Sequence, residues 1–173
     1  MEGPVLRHAT QDDVPTILAL IHELALYENA TSSVQATEEK LLKTLSFAPH
    51  SASSTSDGTA TSGFAKALLI VAPEGGVAGM ALYFYNYSTW TAAPGIYLED
   101  LFVRPPFRRR GYATMLIKEL AREVRRMDGA RLEWACLKWN ESALKFYESL
   151  GAVQKSEWVG LRVDGERLKA LAG

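Results

Sequence analysis

The chain has 173 residues, 47% of them hydrophobic and 23% charged, with a formal net charge of −1. This is the composition expected of a soluble globular domain with a full core, and it argues against bulk attraction to nucleic acid or to a membrane surface. The lone cysteine, Cys136, rules out an intrachain disulfide and a cysteine–histidine zinc site, and it points to a reducing, cytoplasmic setting. No apolar run approaches the roughly 20 residues that cross a bilayer. Met1-Glu2-Gly3-Pro4 lacks the basic-then-apolar pattern of a signal peptide.

Residues 5–8 read as a short first strand. Thr10 or Asp12 can cap a helix running to about Tyr27, with Pro15 tolerated in its first turn. Val14, Ile17, Leu18, Ile21, Leu24 and Ala25 recur at helical spacing along it. Thr37 opens a second helix that ends near Leu45, with Glu38 and Glu39 favourable to its dipole. Residues 46–63, rich in Ser, Thr, Ala and Gly, are expected to form a flexible insertion loop. Strands follow at 67–72 and 77–87, around a turn at 73–76. Residues 88–95 read as irregular, and residues 97–103 as a further strand. An amphipathic helix is predicted over 112–127, stopped by Asp128-Gly129. Residues 132–136 form a buried strand, and Asn140 caps a helix over 141–150 that Gly151 ends. Two closing strands are expected at about 153–159 and 161–163. Strands mixed with helices in this way make one α/β domain around a mixed central sheet.

The densest chemical signal is Arg108-Arg109-Arg110-Gly111-Tyr112-Ala113-Thr114, between a strand and a helix. The first N–H groups of a helix lack internal acceptors, and the macrodipole adds positive potential there. Gly111 permits close backbone approach, and Thr114 adds a hydroxyl. Three arginines oppose the dipole's preference for acids, so an anion such as a pyrophosphate is expected to compensate them. His8, His22 and His50 lie on strand, helix and loop, with no spacing for a metal or a triad.

Glu99-Asp100-Leu101-Phe102-Val103 followed by Arg108-x-x-Gly111-x-Ala113 resembles the acyl-CoA motif of the GNAT N-acyltransferases. Further blocks resemble the diamine (spermidine/spermine) acetyltransferases. They are Glu23-Leu24-Ala25-Leu26-Tyr27-Glu28, Tyr97-Leu98-Glu99-Asp100, Lys138-Trp139-Asn140-Glu141, Lys145-Phe146-Tyr147 and Gly151-Ala152. Ala113 departs from the glycine usual in that branch, and the segment after Gly151 is shorter than the family's. The resemblance implies a GNAT fold over residues 1–173, with two splayed parallel strands and helices on both faces of the sheet. It implies acetyl-CoA as co-substrate, no metal, a small cationic amine as acceptor, and a homodimer.

By that resemblance, the backbone of Leu101, Phe102 and Val103, the turn from Arg108 to Thr114, and Asn140 hold acetyl-CoA. Tyr147 faces the thioester sulfur as proton donor. Tyr27, Glu28, Glu99, Asp100 and Glu157 bind the cationic substrate, and Glu99 is the candidate base. A primary amine, with a pKa of roughly 10.4, is protonated at neutral pH, so a proton must leave before attack. No activated nucleophile is visible, which favours direct transfer in a ternary complex. The acids suit a polyamine or diamine. Lys138 stands where the polyamine enzymes tend to have an acid, which adds some weight to a lysine-like amino acid such as thialysine, and the sequence leaves the two substrate classes open. A protein lysine or N-terminal acetyltransferase and a non-catalytic CoA- or amine-binding regulator are the rival readings.

Overall fold

The computed structural model describes residues 3–48 and 63–173. Two compact units divide the chain, Met1–Ala135 and Cys136–Gly173.

In the first unit, β1 (Val5–His8) leads into a 3-10 turn at Gln11–Asp13 and then α1 (Val14–Tyr27). Thr10 and Asp13 form the entry as a reciprocal capping box, the Thr10 N–H donating to Asp13 Oδ2 at 2.8 Å. Arg7 clamps the same carboxylate with two bonds of 2.6 and 2.7 Å. The Arg7 guanidinium is the main reason that Asp13 titrates at about 2. α2 (Glu38–Thr44) starts where Thr37 accepts from the Lys40 N–H at 3.2 Å.

Six strands form the sheet in the order β1-β3-β4-β5-β6, with β2 beside β3. They are β2 (Leu45–Ser46), β3 (Ala65–Val71), β4 (Val77–Ser88), β5 (Ala93–Val103) and β6 (Arg131–Trp134). The β1–β3, β3–β4 and β4–β5 pairs are antiparallel, whereas β2–β3 and β5–β6 are parallel. One face packs on α1 through Val14, Ile17, Leu20, Leu69, Met80, Leu82 and Phe102. The other face carries α3 (Tyr112–Arg126), whose Leu116, Ile117, Leu120 and Val124 are buried while Lys118, Arg122 and Arg125 stay in solvent. The fully buried Tyr83 marks that second face, its hydroxyl donating to Glu123 of α3 at 2.7 Å. No described helix is long and apolar enough to cross a membrane.

In the second unit, Asn140 caps α4 (Glu141–Ser149), its side-chain oxygen accepting from the Ala143 N–H at 3.2 Å. Gly151, at φ 87°, closes α4 in the left-handed conformation that glycine adopts without a Cβ penalty.

Four sequence expectations need correction. The irregular stretch expected at 88–95 is partly strand, since β5 starts at Ala93 and pairs with Ser88. The insertion expected from residue 46 starts later, because Leu45 and Ser46 pair with Ala65 and Lys66; residues 49–62 lie outside the described residues. The strand expected at 132–136 stops at Trp134, where its partner β5 leaves the register. Residues 153–163 form no strand: a turn closed by the Trp158 N–H on the Lys155 carbonyl interrupts them. Helix α5 (Gly165–Ala172) follows instead. Alternation favours a strand only where a neighbouring ladder accepts it.

Candidate active site

β5 builds the site, and its register explains how. Leu98 lies opposite Tyr83 and Asp100 opposite Leu82, so Glu99 is an extra residue with no partner on β4. This is a β-bulge. On its other edge, β5 pairs with β6 only from Gly95↔Arg131 to Leu98↔Trp134. From Glu99 onward that edge has no strand beside it among the described residues. The two parallel strands therefore part at the bulge, and the backbone of Leu101, Phe102 and Val103 lies beyond the fork. An extended amide-bearing ligand could pair with such an edge as an added strand.

The chain leaves β5 through Arg104 and a 3-10 turn at Pro105–Phe107. Arg104 bonds both oxygens of Glu23 on α1, at 2.8 to 3.0 Å, and the Val77 carbonyl at 2.8 Å. Arg109 then adopts φ +62° and Gly111 φ +78°, the latter as the residue capping α3. The first carbonyl-to-amide bond of α3 runs from the Met115 N–H to Gly111. The N–H groups of Tyr112, Ala113 and Thr114 thus precede the helical ladder, as in any first turn. A Cβ built on Gly111 meets nothing within 4 Å, so the turn opens on space rather than on protein. These features suit an anion such as a pyrophosphate.

The three arginines of the turn are not equivalent. Arg108 Nε donates to the Val103 carbonyl at 2.9 Å, and its guanidinium lies 5.1 Å from the Tyr27 ring and 5.7 Å from the Phe102 ring. Arg110 pairs with Glu74 and lies over the Phe107 ring. Arg109 is exposed and makes no side-chain bond to another described residue. Tyr112 is buried, which leaves its backbone rather than its phenol for a ligand.

Carboxylates gather at the same end of the sheet. Tyr27 ends α1, and Glu28 follows it, half-buried. Glu99 is exposed at the bulge, and Asp100 is half-buried beside it. None of Glu28, Glu99 and Asp100 forms a hydrogen bond or an ion pair with another described residue. Asp13, Glu23, Glu74, Glu119 and Glu123 all have a basic partner. Burial pushes the Glu28 carboxyl up. Burial, then Glu99 and Glu28, push Asp100 up to about 6. Like charges left unneutralised disfavour the free site and favour a bound cation. The three do not converge as a metal chelate does.

The remaining predicted residues, Asn140, Tyr147 and Glu157, lie in the second unit. Tyr147 sits in the last turns of α4, its ring 5.3 Å from that of Phe146. Asn140 is the cap already described. Glu157 lies exposed in the stretch without regular structure. Sequence reasoning missed the Arg104–Glu23 brace and the Arg108–Tyr27 stack. The signal available was the i, i+4 spacing of Glu23 and Tyr27, which sets both on one face of α1.

The sequence model of the acetyltransferase (GNAT) family matches residues 35–152. The thialysine N-epsilon-acetyltransferase of Caenorhabditis elegans is 38% identical, over 94% of this chain and 93% of that protein. The L-ornithine N5-acetyltransferase of Arabidopsis thaliana is 31% identical, over 96% and 86%. Among solved structures, an integron cassette protein from the mobile metagenome of V. cholerae superposes with a TM-score of 0.75 at 24% identity, covering 99% of both chains. That likeness is one of fold.

Proposed function

Because this chain belongs to the acetyltransferase (GNAT) family, we propose that it transfers acetyl from acetyl-CoA to a primary amine of a small cationic substrate. The acceptor is a diamine, a polyamine or a lysine-like amino acid, and attack is direct, in a ternary complex. The observation that carries the reading is the trio Glu28, Glu99 and Asp100, carboxylates without a basic partner among the described residues, at the fork where β5 leaves β6. A site of this charge draws in a dication and repels an anionic acceptor.

Acetyl-CoA supplies the activated acetyl group when bound. The free N–H groups of the Gly111 turn and the Arg109 side chain hold its pyrophosphate, and the backbone of Leu101, Phe102 and Val103 holds its amide-bearing arm. Tyr27 and Glu28 bind the far charge of the amine, and the carboxylates of β5 bind the reacting end. Asn140 and Glu157 are assigned to co-substrate and amine binding by resemblance alone. Tyr147 is assigned, also by resemblance, to protonating the departing thiolate. A homodimer is part of the same reading.

The acetyl-transferase activity of relatives on thialysine and on ornithine supports an amine with two cationic ends. Turnover with acetyl-CoA against a panel of diamines, polyamines, lysine, ornithine and thialysine tests the proposal. The expected result is release of free CoA with at least one of these amines, and monoacetylated product by mass spectrometry. Release of CoA with none of them would refute it.

A further inference from the structure

Strand alternation places Leu98 and Asp100 on one face of a regular strand. The bulge at Glu99 separates them. Leu98 shares a face with Tyr83, whose hydroxyl reaches Glu123 of α3. Asp100 lies opposite Leu82, and the next residue on its face, Phe102, lies opposite Met80. Leu82, Met80 and Phe102 all belong to the core that packs on α1. One inserted residue therefore turns Asp100 from the α3 side to the α1 side, where Glu28 follows the end of the helix.

Two further observations distinguish Asp100 from Glu99, although neither carboxylate is bonded by a donor among the described residues. Asp100 is half-buried and Glu99 exposed. Both neighbouring carboxylates, Glu99 on its own strand and Glu28 after α1, act on Asp100 through space.

We infer that Asp100, not Glu99, takes the proton from the substrate ammonium, and that Glu28 and Glu99 are the charges that bind the cation. The inference rests on the acetyl-transfer reading above. In the free protein Asp100 is pushed up to about 6 by burial, then by Glu99, then by Glu28, within reach of the working range of a general base. The other titratable or charged groups on that face include Tyr97 on β5, Glu133 opposite it on β6, Tyr27 on α1, the Arg104–Glu23 pair between β5 and α1, and the Arg108 guanidinium over Phe102.

The step balances as follows. One N–H proton of the ammonium moves to the Asp100 carboxylate, and the freed lone pair forms the C–N bond to the thioester carbonyl. The C–S bond then breaks, and its electron pair leaves on sulfur. The second nitrogen proton compensates the thiolate, by way of Tyr147 in the proposed scheme. Asp100 returns its proton to solvent. Proton transfer from a group of pKa roughly 10.4 to a carboxylate is uphill, and formation of the C–N bond draws it forward.

The test compares the pH dependence of kcat/KM in Asp100→Asn, Asp100→Glu, Glu99→Gln and Glu28→Gln with wild type, using whichever amine of the panel turns over. Asp100→Asn is expected to lower kcat on the order of 100-fold and to abolish the acid limb, and Asp100→Glu to restore part of both. Glu99→Gln and Glu28→Gln are expected to raise the KM for the amine and to move the acid limb to lower pH, because each removes a like charge beside Asp100. Carboxyl NMR titration of the substrate-free protein adds a readout independent of turnover: the Asp100 midpoint should fall in Glu28→Gln. Loss of the acid limb in Glu99→Gln, with its retention in Asp100→Asn, would overturn the inference and leave the acetyl-transfer reading intact. A wild type that acetylates no amine would instead remove that reading, and the inference with it.

Discussion

The Arg108 guanidinium lies 5.1 Å from the centre of the Tyr27 ring. Its Nε meanwhile bonds the carbonyl of Val103, the last residue of β5, at 2.9 Å. One side chain thus joins three parts of the site: the end of α1, the end of the splayed strand and the turn that opens α3. Arg104 ties the same two elements one turn earlier through Glu23. The acids proposed to attract the amine and the donors that suit a pyrophosphate are in this way fixed to each other.

Arg108→Ala removes both attachments. A cation–π contact of roughly 0.5–1 kcal/mol and a charged hydrogen bond of about 1.5 kcal/mol are at stake. The KM values for the amine and for acetyl-CoA should each rise about 10-fold, since a factor of ten corresponds to about 1.4 kcal/mol. Arg109→Ala should raise only the value for acetyl-CoA. Steady-state kinetics with each substrate varied separates the two. A change confined to acetyl-CoA in Arg108→Ala would show that the link to Tyr27 carries no weight.

Gly111→Val acts on conformation rather than on space. The new Cβ meets no atom within 4 Å, but φ is +78°. A left-handed non-glycine residue costs about 1–2 kcal/mol, and a β-branched one sits at the upper end. The turn should relax and CoA affinity fall about 10-fold by calorimetry, with α3 retained by circular dichroism. Unchanged affinity would count against the pyrophosphate assignment.

Tyr147→Phe tests the proposed proton donor. The variant keeps its ring beside Phe146 and loses only the hydroxyl. A fall in kcat on the order of 100-fold, with little change in the KM for either substrate, is the expected signature of a group that acts in the transition state. A wild-type kcat would remove the role.

The Arg7–Asp13 pair predicts a pH dependence of stability. Asp13 titrates at about 2, below its ordinary 3.8, mainly because of Arg7. A depressed carboxyl stabilises the folded chain above its unfolded pKa, and that contribution disappears as pH falls through the folded value. Asp13→Asn should therefore cost about 2 kcal/mol at pH 7. The difference from wild type should shrink between pH 4 and pH 2. Urea denaturation at both ends of that window checks the sign, and a constant difference would locate the cost elsewhere.

Much of this arrangement was legible in the residues. The capping of α2 and α4 follows from Thr37 and Asn140, because these side chains accept from backbone N–H groups three residues on, and the entry to α1 from the short-range bond of the Thr10 N–H to Asp13. The Gly111 turn was legible for the same reason. The bulge was not: Glu99 and Asp100 read as neighbours on a plain strand, and only the pairing of β5 with β4 shows which of them is extra. The pairing of Leu45 and Ser46 with β3 was also hidden, since two residues carry no period. Residues 153–163 show the converse, an apolar pattern that reads as strand but has no ladder to join.

By itself, then, the sequence determined helices α1 to α4 and the caps of α2 and α4, the cationic turn, and the inventory of acids. The tertiary structure decided which acid faces α1, where β5 and β6 part, and which arginine of the turn is left for a ligand. The physical reason is range. Helix caps and glycine turns are settled by hydrogen bonds and backbone sterics between near neighbours. Strand register and the face a carboxylate occupies are settled by partners distant in the chain, and one inserted residue is enough to reverse them.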